Sequence, residues 1–191
     1  MIESARAARS RERLIDTAAK LFYAEGITAT GVDTLVARSG VSKPTLYARF
    51  GSKGALVTAV LEEIHVRRRA ELERHLDDQD GPRARILAVF DWLQRFHRRD
   101  GDRGCPFLNA AAELCDAEDP AREVVVRHKR WLREVLTAQA RDAGADDPGE
   151  LGHALLLLLD GANARMAVEG DRDAAALARR TAERLLDAAG A

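Results

Sequence analysis

Ser42, Lys43, Thr45, Tyr47, Arg49 and Lys53 crowd six hydrogen-bond donors into one short stretch of the chain, "VSKPTLYARFGSK". Hydroxyls, ammonium groups and a guanidinium in such density suit a ligand that presents many anionic oxygens, as a nucleic-acid backbone does. Val41, Leu46 and Phe50 point the other way, so the segment has one polar and one apolar face. Lys53 opens the next helix, where its ammonium and the helix N-terminus both favour a phosphate. A polar, solvent-facing helix in an unrelated bundle has the same residue types, and the donors alone do not separate the two readings.

The elements that must position these donors are legible around them. Apolar spacing predicts a helix over residues 10–25, with Leu14, Ile15, Ala18, Leu21 and Phe22 as its stripe and Gly26 as its stop. A short helix over 32–39 buries Val32, Leu35 and Val36 and ends at Gly40. The donors then occupy a helix over 43–50 that Ser42 is placed to cap. Pro44 falls in its first turn, where a missing N–H costs nothing, so the proline marks a helix start. Helix, tight turn, helix is the pattern in which the second helix enters the DNA major groove.

The stretch from Arg11 to Leu56 resembles the N-terminal domain of TetR-family transcriptional regulators, through "RERLIDTAAKLFYAEGI", "GVDTLVARSGVSKPTLYARF" and "SKGALV". The resemblance implies a DNA-contact set of Ser42, Lys43, Pro44, Thr45, Tyr47, Arg49 and Lys53. In such proteins residues 44 and 45 approach bases, Tyr47 and Lys53 grip phosphates, and 43 and 48–49 set preference. Ala48 stands where many relatives have a larger polar residue, which leaves base reading there to Arg49. Relatives often place a phosphate-contacting Ser or Thr where this chain has Gly31, and Thr30 is the expected substitute. The family also implies a homodimer through the last two helices, a palindromic double-stranded operator and a small-molecule effector. With no Gly-rich phosphate loop and no Ser motif in a strand–turn–helix setting, no enzymatic activity is expected.

Bulk properties fit an all-α fold of about nine helices. The chain has 191 residues, 46% apolar and 32% charged, with few aromatics and no alternating Val/Ile/Thr run. The net charge of −1 hides nine Lys/Arg against five Asp/Glu in residues 1–54, and 21 against 26 in the rest. A basic head on an acidic body suggests an anionic partner for the head. Glu3, Arg6 and Arg9 leave no apolar signal-peptide core, no run is long enough for a membrane span, and two cysteines imply no disulfide framework. A cytoplasmic protein with a helix-turn-helix domain over 1–52 and a ligand-binding and dimerisation domain over 53–191 is the expectation.

Further helices are expected over 53–77, 82–99, 107–115, 120–142, 150–169 and 172–189, separated by "DDQDGP", "DGDRGCP" and "GADDPG". The eighth, "LGHALLLLLDGANARMAV", is apolar around more of its circumference than one-sided packing needs, which suggests a partner subunit. Candidate effector contacts are Trp92, Phe96, Phe107, Leu108, Asn109, Glu113, His128 and Trp131, with Asp160 and Asn163 on the eighth helix. Each aromatic also reads as core packing. Asp160 and Asn163 need buried partners, in the pocket or across the dimer. Arg67, Arg68 and Arg69 form a solvated face or reach towards DNA. Cys105, ahead of a helix start, is a redox-sensing thiol or an idle one. No cofactor and no metal site is expected, since the His and Cys residues are scattered singly. A DNA-binding architectural protein without ligand control is the rival reading, against which the long acidic body argues.

Overall fold

The computed structural model describes residues 2–191, with side chains from Ala7 onward, so Glu3 and Arg6 lie outside the described side chains. The described residues form nine helices: α1 (Ile2–Glu25), α2 (Val32–Ser39), α3 (Lys43–Phe50), α4 (Lys53–Asp77), α5 (Pro82–Arg99), α6 (Pro106–Glu113), α7 (Pro120–Asp142), α8 (Pro148–Glu169) and α9 (Ala174–Ala188). The fold is all-α. Four of the nine begin at a proline, where the fixed φ helps and the absent N–H would have been an orphan.

Helix ends differ from expectation where a side chain from elsewhere settles them. α1 starts well before residue 10. α8 starts at Pro148 because the Asp147 carboxylate accepts the Glu150 N–H at 3.0 Å. α9 starts at Ala174 rather than 172. Asp171 closes a turn on the Asp173 N–H, and Gln94 of α5 accepts the Ala176 N–H at 2.9 Å. α6 ends at Glu113, and Arg122 of α7 donates to the loose carbonyls of Ala111 and Leu114 at 3.3 and 2.7 Å.

Packing groups the chain differently from a single cut after residue 52. One unit comprises residues up to Arg67 together with Pro106–Val126; the other comprises Arg68–Cys105 and Arg127–Ala191. In the first unit, Leu14, Ala18, Leu21, Leu35, Leu46, Leu56 and Val60 are buried, so α1 to α3 and the start of α4 share one core. Val32 and Val36 are only half-buried, leaving Leu35 as the fully buried residue of α2. In the second unit, Ile86, Val89, Phe90 and Leu93 of α5 pack with Leu136 of α7, Leu155 and Leu159 of α8 and Ala175, Ala178, Ala182 and Leu186 of α9. No helix among the described residues is long and apolar enough to cross a membrane.

α7 and α8 come close together at Gly152. A Cβ there would lie 2.2 Å from Thr137 Oγ1 and 3.0 Å from its Cα. Alanine would gain up to about 1 kcal/mol of helix propensity. Overpacking costs about 1–3 kcal/mol, because a backbone atom as well as a hydroxyl stands in the way. We expect Gly152→Ala to lower stability in chemical denaturation and Thr137→Ala to restore part of the loss. A Gly152→Ala protein more stable than the native one would contradict this packing.

Candidate functional site

The donor-rich helix is held from three sides. Gly40 takes the left-handed conformation (φ 64°) and closes α2, its N–H on the Val36 carbonyl. A residue with a Cβ there would be strained and would meet Arg13 Nη2, which donates to the Ser39 carbonyl at 2.5 Å. Ser39 Oγ, itself buried, accepts the Val41 N–H. Ser42 Oγ accepts the Thr45 N–H at 3.4 Å and lies 2.8 Å from the Thr45 hydroxyl, so the expected cap is in place. Ser52 does the same for α4 through the Ala55 N–H at 3.0 Å.

With Leu46 at 0% exposure and Val41 buried, α3 presents its other side to solvent. Ser42, Lys43, Pro44, Tyr47 and Arg49 are exposed, and Thr45 and Lys53 are half-buried. Lys43 Nζ is paired with Asp33 of α2 at 2.9 Å, both side chains facing solvent. The hydrogen bond and charge of Asp33 push the Lys43 pKa up, which keeps it cationic. Sequence reasoning passed over Asp33, though an acid beside a basic patch was visible. Thr30 is corrected. It is fully buried, and its hydroxyl donates to the Gly26 carbonyl at 2.7 Å, closing the turn after α1 instead of facing a phosphate.

The candidate effector residues divide between the two units. Asn109 and Glu113 line a seam in the first unit with Phe22, Ile27, Val57 and Ile64, enclosing about 20 Å³, room for a water. Glu113 is no free anchor: its two carboxylate oxygens accept the Ile27 N–H at 3.0 Å and the Thr28 N–H at 2.7 Å, clamping the turn that leads into α2. Nothing in the local sequence pairs it with a turn 85 residues away. Phe107 is fully buried in the same unit.

In the second unit, Trp92, His128, Asp160 and Asn163 line one cavity of about 20 Å³ with Arg68 and Lys129. Asp160 pairs with Lys129. Asn163 Nδ2 donates to the Leu159 carbonyl at 2.9 Å, which turns its Oδ1 to His97 Nε2 at 3.2 Å. Both polar groups of α8 are therefore satisfied inside the protomer. His97 is buried, and burial holds its pKa down; the Asn163 bond opposes this and the Arg68 charge adds to it. The neutral ring donates through Nε2, which leaves Nδ1 buried without a protein partner. Trp131 stacks at a tilt on His128, centroids 5.5 Å apart, within the core.

The three arginines of α4 separate on inspection. Arg67 pairs with Asp16 and Glu63 and Arg69 with Glu73, whereas Arg68 turns inward over Phe96 and Trp92, with 3.8 and 5.3 Å to the ring centroids. Phe96 and Trp92 also line an open cleft of about 300 Å³ with His75 and Arg95. Cys105 is buried beside the inner cavity and Cys115 is exposed. No cluster of three metal-ligating side chains occurs among the described residues.

Comparison with known proteins identifies the family. Residues 14–60 match the family described as bacterial regulatory proteins, tetR family, and residues 82–182 match the tetracyclin repressor-like C-terminal domain. The chain is similar to the HTH-type transcriptional repressor ComR of Escherichia coli K12, at 33% identity over 66% of this chain and 63% of that one. It is similar to the HTH-type transcriptional activator FasR of Mycolicibacterium smegmatis, at 37% identity over 71% of this chain and 61% of that one. The match thus spans under two thirds of either relative. A solved TetR-family regulator from Streptomyces coelicolor superposes with a TM-score of 0.91 at 30% identity, covering 96% of this chain and 97% of that one. A second, from Streptomyces avermitilis, gives 0.83 at 37% identity, covering 94% and 97%.

The Glu113 clamp is open to direct test. Hydrogen bonds to a charged group contribute about 1.5–3 kcal/mol each when partly buried, so Glu113→Ala should lower stability by at least that order. Glu113→Gln, which keeps one acceptor oxygen, should lose less. Hydrogen exchange at the Ile27 and Thr28 amides should quicken in Glu113→Ala; unchanged protection of both would show that the carboxylate does not hold the turn.

Proposed function

Since the chain belongs to the TetR family of DNA-binding transcriptional regulators, we propose that it is a repressor that binds a palindromic operator as a homodimer and is released by a small, largely apolar effector. The observation that carries the reading is the two-sidedness of α3: an apolar side anchored by Leu46, and an exposed side made of Ser42, Lys43, Pro44, Tyr47 and Arg49, with Thr45 and Lys53 at its margin. We assign Tyr47 and Lys53 to phosphates, and Pro44, Thr45, Lys43 and Arg49 to base edges and preference. Asp33 holds Lys43 in the free protein and repels phosphates from the same surface, so Lys43 is released only where DNA outcompetes the carboxylate.

The dimer reading rests on α8 and α9. Leu157 is 73% exposed, Val168 84% and Leu177 49%, large apolar side chains that a lone protomer leaves in water. Leu157, Gly161, Ala164 and Val168 fall at helical spacing along one exposed face of α8, with small residues between the large ones. An isologous contact of this kind would set two copies of α3 about 34 Å or more apart, one turn of DNA or above. The effector reading rests on polar side chains set in the apolar body, where typical coupling of about 1–3 kcal/mol between ligand and operator is enough for control. A ligand that favours one tilt of α4 alters the spacing of the two recognition helices. We place the protein in the cytoplasm.

Substitutions separate the roles on α3. Tyr47→Phe and Lys53→Ala should weaken binding to all DNA sequences and reduce the salt dependence, each phosphate contact contributing about 0.9 to the log–log slope. Arg49→Ala and Thr45→Ala should cost about 1–3 kcal/mol on the selected site and relax its preference. Asp33→Asn should raise affinity for random DNA and so narrow the ratio of specific to random binding. Equal effects of all five changes on specific and random DNA would refute the placement of α3 in the groove.

Assembly is tested separately. Sedimentation at micromolar concentration should give a dimer, and Leu157→Glu with Val168→Glu a folded monomer. A native protein that stays monomeric, or selected DNA without inverted symmetry, would overturn the homodimer.

A further inference from the structure

Arginines gather around Trp92 and Phe96 of the second unit, although that unit is neutral as a whole. Residues 68–105 and 127–191 together carry 19 Lys/Arg and 19 Asp/Glu. The open cleft along α4 and α5 has Arg74, Arg95 and Arg99 on its walls against Glu71 and Asp78, around Trp92 and Phe96, with Arg99 paired to Glu71 at 3.8 Å and to Asp100 at 3.3 Å. Arg68, stacked on both rings, shares the inner cavity with Trp92 and with the Lys129–Asp160 pair. Trp92 lines both spaces, so one arginine–aromatic stack stands between the open cleft and the inner cavity. Burial lowers the pKa of His75 and of His97; the charges of Arg95 and Arg68 respectively add to this, while the Ala88 backbone, Asp91 and Asp78 oppose it at His75 and the Asn163 bond opposes it at His97.

The stack discriminates between ligand classes. A guanidinium is weakly hydrated, lies flat on aromatic faces, and offers a fork of donors that fits a carboxylate or sulfonate. A neutral ligand that takes the rings from Arg68 removes its cation–π contacts and returns nothing. An acid with a flat body replaces them with a stack on Trp92 and Phe96 and a charge-assisted pair to the displaced guanidinium. The cleft, at about 300 Å³, is at the lower end of the size range for small-molecule sites.

We propose that this cleft binds an organic anion with a flat apolar body, which lies on Trp92 and Phe96 while Arg68, with Arg95 at the rim, takes its acid group. The inference rests on the reading of the second unit as an effector-binding body, and it names the class of effector. Apolar area supplies the affinity, and the arginines supply the choice of an acid over its neutral counterpart.

The test uses the full chain and two fluorescent probes of similar aromatic body: anilinonaphthalene sulfonate, an anion, and phenylnaphthylamine, which lacks the sulfonate. The anion should bind at least about tenfold more tightly, as a charge-assisted pair predicts. Arg68→Gln should bring the two within about twofold, weakening the anion and strengthening the neutral probe, which then displaces no cation–π contact, and Arg68→Lys should restore part of the preference. Arg95→Gln, at an exposed position, should reduce the preference two- to threefold or so even if Arg68→Gln does not fold. Equal affinities for the two probes, or a preference untouched by either glutamine substitution, would overturn the proposal. Operator release, followed with DNA selected by the protein, separates the two layers. Release by the neutral probe alone removes the anion assignment and leaves the effector reading standing. If neither probe binds and DNA affinity does not respond, both fall.

Discussion

An eight-residue polar helix does not hold itself together in water, and the first unit is built around that fact. Isolated helices shorter than about 12–15 residues are marginal, because nucleation costs more than so few hydrogen bonds return. α3 exists because Leu46 and Val41 are buried in a core it shares with α1, α2 and α4. Full burial of one such side chain contributes about 1.5–3 kcal/mol, which is of the size needed to offset the ordering of a short helix. The Ser42 cap, the Gly40 turn and the Arg13 contact to Ser39 then leave α3 one way to sit. Its polar residues are free to serve a ligand only because its apolar ones carry the fold.

Charge plays two unequal parts. The surface pairs Arg67–Asp16, Arg69–Glu73 and Arg165–Glu169 are exposed, and pairs of that kind contribute about 0–1 kcal/mol. Glu113 and Arg122 act on backbone ends instead, one on the amides of Ile27 and Thr28, the other on the last carbonyls of α6. Left unmet, those groups would keep their desolvation cost, so these two side chains matter more to the first unit than the more numerous surface pairs. They also tie α6 to the turn after α1 and to the start of α7, with which it groups.

The second unit pairs the polar side chains of α8 that face its interior, while His97 Nδ1, His75 Nε2, Arg85 Nε and Gln139 Oε1 are buried without a protein partner. Asn163 bonds both the Leu159 carbonyl and His97, and Lys129 meets Asp160. Removing one partner of such a pair costs more than the pair itself contributes, since the other is left unpaired in a low dielectric. A molecule that opens this region must therefore replace polar contacts as well as fill space.

The positions of the helices were legible in the sequence because their causes are local. Ser42 and Pro44 at the start of α3, Gly40 at the end of α2, and Leu14, Ala18 and Leu21 along α1 act within a turn or two of themselves. So do the composition that excludes strands and the donor pattern on α3. What the sequence left open depends on residues distant along the chain. Glu113 looks like an anchor in a pocket until Ile27 and Thr28 arrive opposite it, and Thr30 looks like a phosphate contact until the Gly26 carbonyl takes its hydroxyl. Arg67, Arg68 and Arg69 are one charge run in sequence, yet successive residues of a helix point about 100° apart. That rotation puts Arg68 on Trp92 and Phe96 and its neighbours on surface carboxylates. Periodicity and capping are written in a window of a few residues. Which side chain meets which backbone across 85 positions is decided only when the helices pack.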